Sequence, residues 1–335
     1  MNNKKSISIV IPNYNGKTLL QTYLPSTLVA IEQADTDYEI IIVDDCSKDD
    51  SVQFIRTNYP DIKIVVNPVN KGFSYTCNQG INSSVNELIM LLNSDVKLSP
   101  AYFKHQWSYF EHEDTFGVMG RIIDMDGHQV QDAARMPKFN GFKLKTDFFY
   151  YNKSHVDAYT YYLSGANALI DAAKLKRIGG FFELFSPFYY EDAELGVRAW
   201  RLQWKCYYEH RAVCEHQISA TTKNYDTRQR IKSIYFRNRY YMHALHLNGV
   251  ALILWFVQIS LFDFLPQILI GRLWIWGSYK ALFDNHKAIK QYRHRVKHLM
   301  EQYNSQRSLF GVVAFIKRSA KKRELVKVNL TNPTT

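Results

Sequence analysis

Four short polar segments could do chemistry, and each one directly follows an apolar run. They are residues 12–16 (PNYNG), 44–50 (DDCSKDD), 67–72 (NPVNKG) and 93–95 (NSD). A carboxylate at the end of a buried strand can coordinate a hard divalent cation that also binds a diphosphate, and Asp95 is suited to that role. Taken alone, Asn93-Ser94-Asp95 is also typical of a simple turn.

The second segment contains four acids that could serve two different purposes. Asp44 and Asp45 directly follow an apolar run, where a carboxylate can accept hydrogen bonds from a nucleobase N–H or a ribose hydroxyl. Asp49 and Asp50 precede a helical stretch, so we expect them to cap it.

The third segment places Lys71 and Gly72 before a helical stretch, whose free N–H groups would favour phosphate. Its spacing matches neither GxxxxGK[ST] nor GxGxxG. Neither an ATPase nor an ordinary dinucleotide enzyme is therefore indicated.

A further pair of acids, Glu191 and Asp192, opens a helical stretch after three aromatic residues. Apolar walls raise the pKa of a carboxyl group, so an acid in this setting can act as general base toward a sugar hydroxyl. The alternative is that Asp192 is the N-cap of the helix. Both roles can coexist if one acid caps and the other reacts.

Two cysteines and two histidines, Cys206, His210, Cys214 and His216, share one face of a predicted strand and suggest zinc. Residues four apart on a strand lie roughly 13 Å apart, at a rise of roughly 3.3 Å per residue, which is too far to share one ion. His216, at the carboxyl end of the strand, can instead complete a metal site begun by Asp95.

The elements that must position these groups are short β-branched runs at residues 8–11, 39–43, 62–66 and 88–92, separated by helical stretches. Continuous apolar runs of this length indicate strands buried on both faces, hence an α/β fold with a mostly parallel, Rossmann-like sheet flanked by helices. Ligands of such sheets bind beyond the carboxyl ends of the strands, so all four polar segments should converge on one edge.

Later in the chain, the sequence predicts strands at residues 116–123, 163–170 and 205–214 and a helix at 192–203. Residues 124–162 are polar and rich in aromatics, and we expect them to form an acceptor-side loop. We expect a catalytic domain at residues 1–240 and an apolar, basic, helical region at 241–335.

The C-terminal region indicates a membrane surface. The chain has 335 residues and a net charge of +11, and much of the basic excess lies between residues 280 and 323, beside an apolar stretch that begins near residue 248. No apolar run there reaches 18 residues without interruption, so we expect interfacial or re-entrant helices anchored by Trp255, Trp274 and Trp276 rather than a clean transmembrane span. This distribution favours an anionic membrane over a nucleic acid as the partner.

The four cysteines are scattered along the chain, and no secretory signal precedes them. We therefore expect the protein to lie in the reducing cytosol.

The motifs as a set resemble those of family 2 inverting glycosyltransferases of the GT-A fold. The matching segments, in order, are IVIPNYNG, IIVDDCSKDDS, NKGFSYTCNQGI, LLNSD, LSGANALI, YYEDAELGVRAWRLQW and the later His216, which together extend over residues 9–216.

The resemblance implies a donor site in which Pro12 and Tyr14 line the base pocket and Asp44 or Asp45 binds base and ribose. The remaining residues implied to bind the nucleotide sugar are Lys71, Gly72, Asn78, Asn93 and Ser94.

The resemblance also implies a metal site and a catalytic base. Asp95 corresponds to the last acid of the family's DxD motif, while Asn93 replaces the first acid, as in relatives resembling rhamnosyl- and galactofuranosyltransferases. His216 would join the shell of Mg²⁺ or Mn²⁺. Asp192 would be the base of a single, inverting displacement, and Glu191 would support it or bind the acceptor.

The implied donor is a UDP-, dTDP- or GDP-sugar. Because the C-terminal region predicts contact with the cytoplasmic face of the inner membrane, we expect the acceptor to be a glycan or lipid-linked glycan available there, in surface polysaccharide assembly.

A nucleotidyltransferase would need a glycine-rich basic loop near the N-terminus, which the sequence lacks. A catalytically dead scaffold is disfavoured because Asp95, Asp192 and His216 are all present, and a nucleic-acid binder because the C-terminal region is apolar.

Overall fold

The computed structural model describes residues 4–153, 158–217, 228–321 and 323–328. The first four apolar runs form parallel strands β1 (Ile7–Asn13), β2 (Tyr38–Asp44), β3 (Lys63–Val66) and β4 (Leu88–Leu92). All five residues of β4 are buried, as expected for a strand covered on both faces. The predicted α/β class is confirmed.

The central sheet continues beyond β4 with strands β5 (Val96–Leu98), β6 (Thr115–Ile123), β7 (Val130–Asp132), β10 (Ala158–Tyr159), β11 (Asn167–Asp171) and β12 (Lys205–His216). The order along the sheet is β10-β12-β6-β11-β4-β1-β2-β3, with β5 on β12 and β7 on β6. Strand β11 is antiparallel to both β4 and β6, whereas β12 is parallel to β6. Strands β1 to β4, β6 and β12 therefore run in one direction, and their carboxyl ends share one edge.

Helices α1 (Lys17–Ala34), α2 (Ser51–Asn58) and α3 (Phe73–Ser83) connect the first strands, and α4 (Ala172–Ile178) and α5 (Glu191–Arg201) follow later. Helix α3 lies close to the sheet because it carries Gly80, where a Cβ atom would collide with Val10. The predicted helix at residues 192–203 corresponds to α5.

Two sequence predictions in the middle of the chain are wrong. The described residues of the 124–162 stretch, 124–153 and 158–162, are not a loop, because they contain the hairpin β8 (Ala134–Asn140) and β9 (Lys143–Asn152), extended by β13 (Leu325–Val328) into a second, three-stranded sheet. Its aromatic residues pack against the core, which the polarity of the stretch conceals. The strand predicted at 163–170 begins only at Asn167, because a turn closed by its N–H to the Ser164 carbonyl (3.3 Å) precedes it.

The C-terminal part is helical. Its elements are α6 (Arg228–His246), α7 (Gly249–Ile259), a π-helical turn (Ser260–Phe264), α8 (Leu265–Leu269), α9 (Trp274–Asp284), α10 (His286–Gln302) and α11 (Leu309–Ala320). Helix α6 runs across residue 240, and β13 pairs with β9. The domain boundary expected at residue 240 stays a prediction.

Residues Gly249–Leu269 form a continuous helix of 21 residues with a mean hydropathy of 1.8. In the part of the chain that the structure describes, it is the one helix whose length and composition suit a membrane crossing. One side of it is nevertheless bonded to the hairpin β8–β9. The Gln258 side chain accepts from Phe142 N (2.7 Å), and Asp263 pairs with Lys143 (2.7 Å).

Candidate active site

A cavity of about 420 Å³ opens at the edge where the carboxyl ends of the parallel strands meet. Ten of the predicted site residues line it: Pro12, Tyr14, Asp45, Gly72, Asn93, Ser94, Asp95, Glu191, Asp192 and His216. These residues come from distant parts of the chain, so the sheet brings them together as the strand pattern predicts.

Asp44 does not reach the cavity wall. Its carboxylate accepts hydrogen bonds from the Asn13 side chain (2.8 Å) and from Ser47 N (2.9 Å), and the residue is 1% exposed. Asp44 therefore ties together the ends of β1 and β2. Asn13 itself lines the cavity, and its Oδ1 is buried without a hydrogen-bond partner among the described residues.

Asp45 lines the cavity and organises the loop before α3. Its carboxylate accepts from Lys71 N (3.0 Å), Gly72 N (2.8 Å) and the Asn67 side chain (2.8 Å). Gly72 has φ +85°, and a Cβ atom there would lie 2.9 Å from Pro187 Cα. Only glycine allows this loop to approach residue 187 so closely.

Lys71 and Asn78 also lie off the cavity wall. The Lys71 ammonium sits 4.4 Å from the centre of the Tyr75 ring, on an exposed surface. The Asn78 carboxamide donates to Phe181 O (3.0 Å) and accepts from Phe181 N (2.8 Å), so it brackets the turn after α4. A spacing motif could not separate such a structural amide from a ligand-binding one.

The acids expected to cap α2 do so only in part. Asp50 occupies the N-cap position without a side-chain hydrogen bond to the helix. Asp49 accepts from Ser51 N (3.1 Å) and also from Lys17 N (2.9 Å), the first residue of α1. Asp49 therefore joins the starts of two helices.

Asp95 and His216 meet at the cavity although they are 121 positions apart in the sequence. Gln217 N donates to Asp95 O (3.1 Å), which holds the end of β12 against the turn between β4 and β5. His216 Nε2 then lies 3.4 Å from Asp95 Oδ1, and this buried oxygen makes no hydrogen bond in the described part of the chain.

Gln131, which the sequence motifs do not include, orients the His216 ring. Its side-chain nitrogen donates to the His216 carbonyl (3.2 Å), so its oxygen must be the atom 2.9 Å from His216 Nδ1. Nδ1 therefore carries a proton, and in the neutral ring the lone pair of Nε2 points toward Asp95. No spacing pattern indicates Gln131, because it lies in the stretch predicted to be a loop.

A carboxylate oxygen, an imidazole nitrogen and Asn93 Oδ1, which is buried without a hydrogen-bond partner in the described ranges, are donors that suit Mg²⁺ or Mn²⁺. Among the described residues, no three His, Cys, Asp or Glu side chains cluster so as to hold a metal ion. Asp95, His216 and Asn93 supply at most three donors, fewer than the six ligands that Mg²⁺ takes.

Glu191 and Asp192 open α5 at the cavity. Tyr190 occupies the N-cap position, so Asp192 is not the cap; its carboxylate accepts from Ala193 N (2.7 Å). Burial raises the pKa of Asp192 to about 6, although the Arg135 guanidinium opposes the shift. Burial and the neighbouring Asp192 charge raise the pKa of Glu191 well above its usual value.

Arg135 on β8 is a second residue that the sequence motifs do not include. It pairs with Asp132 (Nε to Oδ1 2.8 Å), and its guanidinium lies 4.1 Å from the centre of the Tyr162 ring. The segment that forms β8, ARMPKFN, does not alternate strictly between apolar and polar residues, so no period in the sequence pointed to the strand that carries Arg135.

The chain matches a known protein family and two groups of relatives. The family described as Glycosyl transferase family 2 matches residues 8–179, slightly more than half of the chain. An uncharacterised glycosyltransferase of Nostoc sp. is 30% identical over 140 residues, which cover 40% of this chain and 42% of the relative. An undecaprenyl-phosphate 4-deoxy-4-formamido-L-arabinose transferase of Pseudomonas syringae is 33% identical over 101 residues, covering 29% of this chain and 30% of the relative. The chain thus matches less than half the length of these relatives.

Solved structures confirm the GT-A fold. GalNAc-T7 with UDP, GalNAc and Mn²⁺ superposes with a TM-score of 0.64 at 12% identity, covering 96% of this chain and 58% of the other. The mannosyltransferase PcManGT of Pyrobaculum calidifontis, with GDP-Man and Mn²⁺, superposes with a TM-score of 0.53 at 13% identity, covering 95% of this chain and 87% of the other. TarS of S. aureus with UDP-GlcNAc superposes with a TM-score of 0.54 at 16% identity, covering 89% of this chain and 92% of the other.

Proposed function

Because the chain belongs to glycosyl transferase family 2, we propose that it transfers a sugar from a nucleoside-diphosphate sugar to an acceptor hydroxyl, with inversion at the anomeric carbon. The observation that carries this proposal is the shared cavity. A half-buried acid of raised pKa, Asp192, faces the same space as Asp95 and His216. A base and a site for a diphosphate-bound cation are the two parts that such a transfer needs.

The donor would bind along the edge formed by β1, β2 and the loop before α3. Pro12 and Tyr14 would line the base pocket, and Asp45, which also lines the cavity, would bind base or ribose. Structural neighbours carry UDP-GlcNAc and GDP-Man, which supports a UDP-, dTDP- or GDP-sugar as the donor class.

Asp95 and His216, with Asn93 beside them, would hold Mg²⁺ or Mn²⁺ together with the donor diphosphate. When bound, the metal would offset the negative charge that develops on the leaving diphosphate, a contribution commonly worth several kcal/mol. Two neighbours were solved with Mn²⁺, which supports a divalent ion.

Asp192 would take the proton from the acceptor hydroxyl as that oxygen forms its bond to the anomeric carbon. The bond from that carbon to the diphosphate oxygen breaks on the opposite face, so the configuration inverts. A pKa of about 6 leaves Asp192 ionised at neutral pH while making it more basic than an exposed aspartate. Glu191 would support the base or bind the acceptor.

The acceptor would be a glycan or lipid-linked glycan, presented at the cytoplasmic face of the inner membrane. The helical region supports a membrane surface because many of its apolar side chains face solvent, namely Val250, Ile253, Leu261, Phe262, Leu269 and Trp276. Exposed cations follow on α10: Lys287, Lys290, Arg295 and Lys297. The bonds from Gln258 and Asp263 to the hairpin β8–β9 favour a helix lying in the interface over one that crosses it.

An aromatic path connects the cavity with this apolar surface. Tyr189 lines the cavity, and its ring centre lies 6.1 Å from that of Tyr235. The ring centres of Tyr235 and Phe236 are 6.0 Å apart, and those of Phe236 and Trp274, at the start of α9, are 5.1 Å apart. The path supports an acceptor that arrives from the membrane side. The undecaprenyl-phosphate relative supports the same class of acceptor.

A donor screen tests the proposed reaction. The purified protein would be incubated with a panel of UDP-, dTDP- and GDP-sugars plus Mn²⁺ or Mg²⁺, and nucleotide release would be measured. We expect at least one donor to be turned over, and both Asp192→Asn and Asp95→Ala to lose about a hundredfold or more of that rate. Asp126→Asn, at an exposed turn, is the matched control. Full activity of Asp192→Asn would remove the assigned base.

Vesicle flotation tests the membrane surface. Phe262→Ser combined with Leu269→Ser should weaken binding to vesicles containing anionic lipid, because both side chains are more than two-thirds exposed. Val85→Ser is the control, since Val85 is equally exposed but lies before β4. Unchanged flotation of the double variant would contradict the assigned surface.

A further inference from the structure

Asn238 on α6 holds the loop that leads into the acid pair. It is fully buried, and its side-chain nitrogen lies within hydrogen-bond distance of three carbonyls of that loop: Phe185 O (2.6 Å), Phe188 O (2.9 Å) and Tyr189 O (2.8 Å). Its oxygen accepts from Arg237 Nε (2.9 Å), which fixes the orientation of the amide. Arg237 also donates to Ser186 O.

The loop needs such a hold because its backbone is unfavourable. Tyr189 and Tyr190 have φ values of +79° and +71°, a region that residues other than glycine rarely adopt. Two consecutive bulky residues in this region persist only when the surroundings impose the conformation. Glu191 and Asp192 follow immediately, so the direction in which they leave the loop depends on these two residues.

The loop is also part of the cavity. Pro187, Phe188 and Tyr189 line it, and Pro187 O accepts from Phe73 N (3.1 Å) at the start of α3. One side of the loop thus contacts the donor-side segment, while its carbonyls on the other side converge on Asn238. A residue of α6 that does not line the cavity therefore sets the position of its wall.

We propose that Asn238 is a positioning residue for transfer: its amide fixes the 185–190 loop so that Asp192 points at the acceptor hydroxyl. This inference rests on the proposed function for its chemistry, but the hold on the loop does not depend on it. Arg237 assists by orienting the amide. A displacement of the base by about 1 Å is enough to cost on the order of a hundredfold in rate.

The test compares three variants. Asn238→Ala removes the side-chain amide that donates hydrogen bonds to the loop. Asn238→Asp keeps the shape of the side chain but has no N–H to donate. Arg237→Gln leaves Asn238 in place but removes the guanidinium that orients its amide. The control is Asn86→Ala, which removes a carboxamide bond to Ile7 O (2.9 Å) at the opposite edge of the sheet. Every protein is assayed well below its own melting temperature, so that the unfolded fraction does not contribute.

The first measurement is steady-state kinetics with the donor found in the screen. We expect kcat of both Asn238 variants to fall by about thirtyfold or more while the donor KM stays within about threefold, because the donor site itself is intact. Arg237→Gln should show a smaller loss of kcat, and Asn86→Ala should match the wild type. Unchanged kcat in folded Asn238 variants would overturn the proposal, because a merely structural residue gives that result.

The second measurement is amide hydrogen exchange of peptides covering residues 185–194, which requires no substrate. Asn238→Ala, or Arg237→Gln if the alanine variant does not fold, should exchange at least about tenfold faster there and not in peptides from β1 to β4. Equal exchange in wild type and variant would overturn the hold on the loop. A protein that turns over no donor but shows the exchange difference would refute the proposed function and leave the hold standing.

Discussion

Replacing Asp192 by asparagine should abolish transfer and at the same time stabilise the folded protein. The substitution keeps the size of the side chain and an oxygen that can accept from Ala193 N, but it removes the half-buried negative charge. A base that is kept partly desolvated for its reaction costs folding free energy, so loss of activity and gain of stability should appear together.

The size of the gain follows from the raised pKa. In the unfolded chain the carboxyl group titrates at 3.8, whereas burial raises the pKa of Asp192 to about 6 in the folded protein. The native state binds the proton more tightly, so the wild type loses stability as the pH rises from 3.8 through 6. At 1.36 kcal/mol per pH unit, the cost reaches at most about 3 kcal/mol above pH 7 and falls to about 1 kcal/mol at pH 4.5.

The assay is thermal unfolding of both proteins over a range of pH. At an unfolding entropy of roughly 2.1 cal/mol/K per residue, 335 residues give about 0.7 kcal/mol/K, so 3 kcal/mol corresponds to about 4 °C. We expect Asp192→Asn to melt up to about 4 °C higher at pH 7.5, with the difference shrinking by about two-thirds at pH 4.5. Asp61→Asn, on the surface, serves as control.

Two results would refute the reasoning. A melting temperature of Asp192→Asn equal to or below that of the wild type at pH 7.5 would mean that the carboxylate is not held at a cost. A gain that stays constant from pH 7.5 to 4.5 would mean that the stabilisation does not come from its ionisation.

Three further predictions concern the metal site and the donor loop. Calorimetry should show tight Mn²⁺ binding only when nucleotide is present, since Asp95 and His216 alone form an incomplete site; tight binding to the free protein would contradict this. Gln131→Ala should weaken Mn²⁺ binding in the presence of nucleotide by about ten- to a hundredfold, because the His216 ring loses the hydrogen bond that orients it. Electron paramagnetic resonance measures the affinity, and an unchanged value would argue against that role of Gln131. Gly72→Ala should destabilise the fold by about 1–3 kcal/mol and weaken nucleotide binding, because Gly72 has a positive φ and Pro187 leaves no space for a Cβ atom. Denaturant unfolding measures the stability and a nucleotide titration the affinity, and no change in either would mean that the loop can shift to accept the methyl group.

The sequence predicted much of the sheet and its functional edge. The runs at residues 39–43 and 88–92 are apolar because those strands are buried on both faces, and their carboxyl ends must meet in a parallel sheet. The strand pattern and the family motifs together were therefore enough to assign Asp45, Asp95 and Asp192 to one cavity. The run of apolar residues that marks a buried strand lies within a few neighbouring positions, so the sequence alone reveals it.

Neighbouring residues within a motif could not be separated in this way. Asp44 and Asp45 are the same residue type one position apart, yet Asp44 closes the ends of β1 and β2 while Asp45 lines the cavity. Asn78 lies in a matching motif but bonds to Phe181. Successive side chains leave a backbone in different directions, so only the packed structure decides which of them faces a ligand.

The sequence by itself determined the family resemblance, the α/β sheet and the edge where the chemistry lies, because these follow from hydrophobic period and from the order of motifs. Only the tertiary structure revealed the hairpin at residues 134–152, the Gln131 bond to His216 and the hold of Asn238 on the 185–190 loop. Each of the two side-chain contacts joins residues that are tens of positions apart through two or three hydrogen bonds, and the hairpin is fixed by strand pairing and by packing against the core. Such contacts leave no period and no spacing in the sequence, and they exist only once the sheet and the C-terminal helices have packed together.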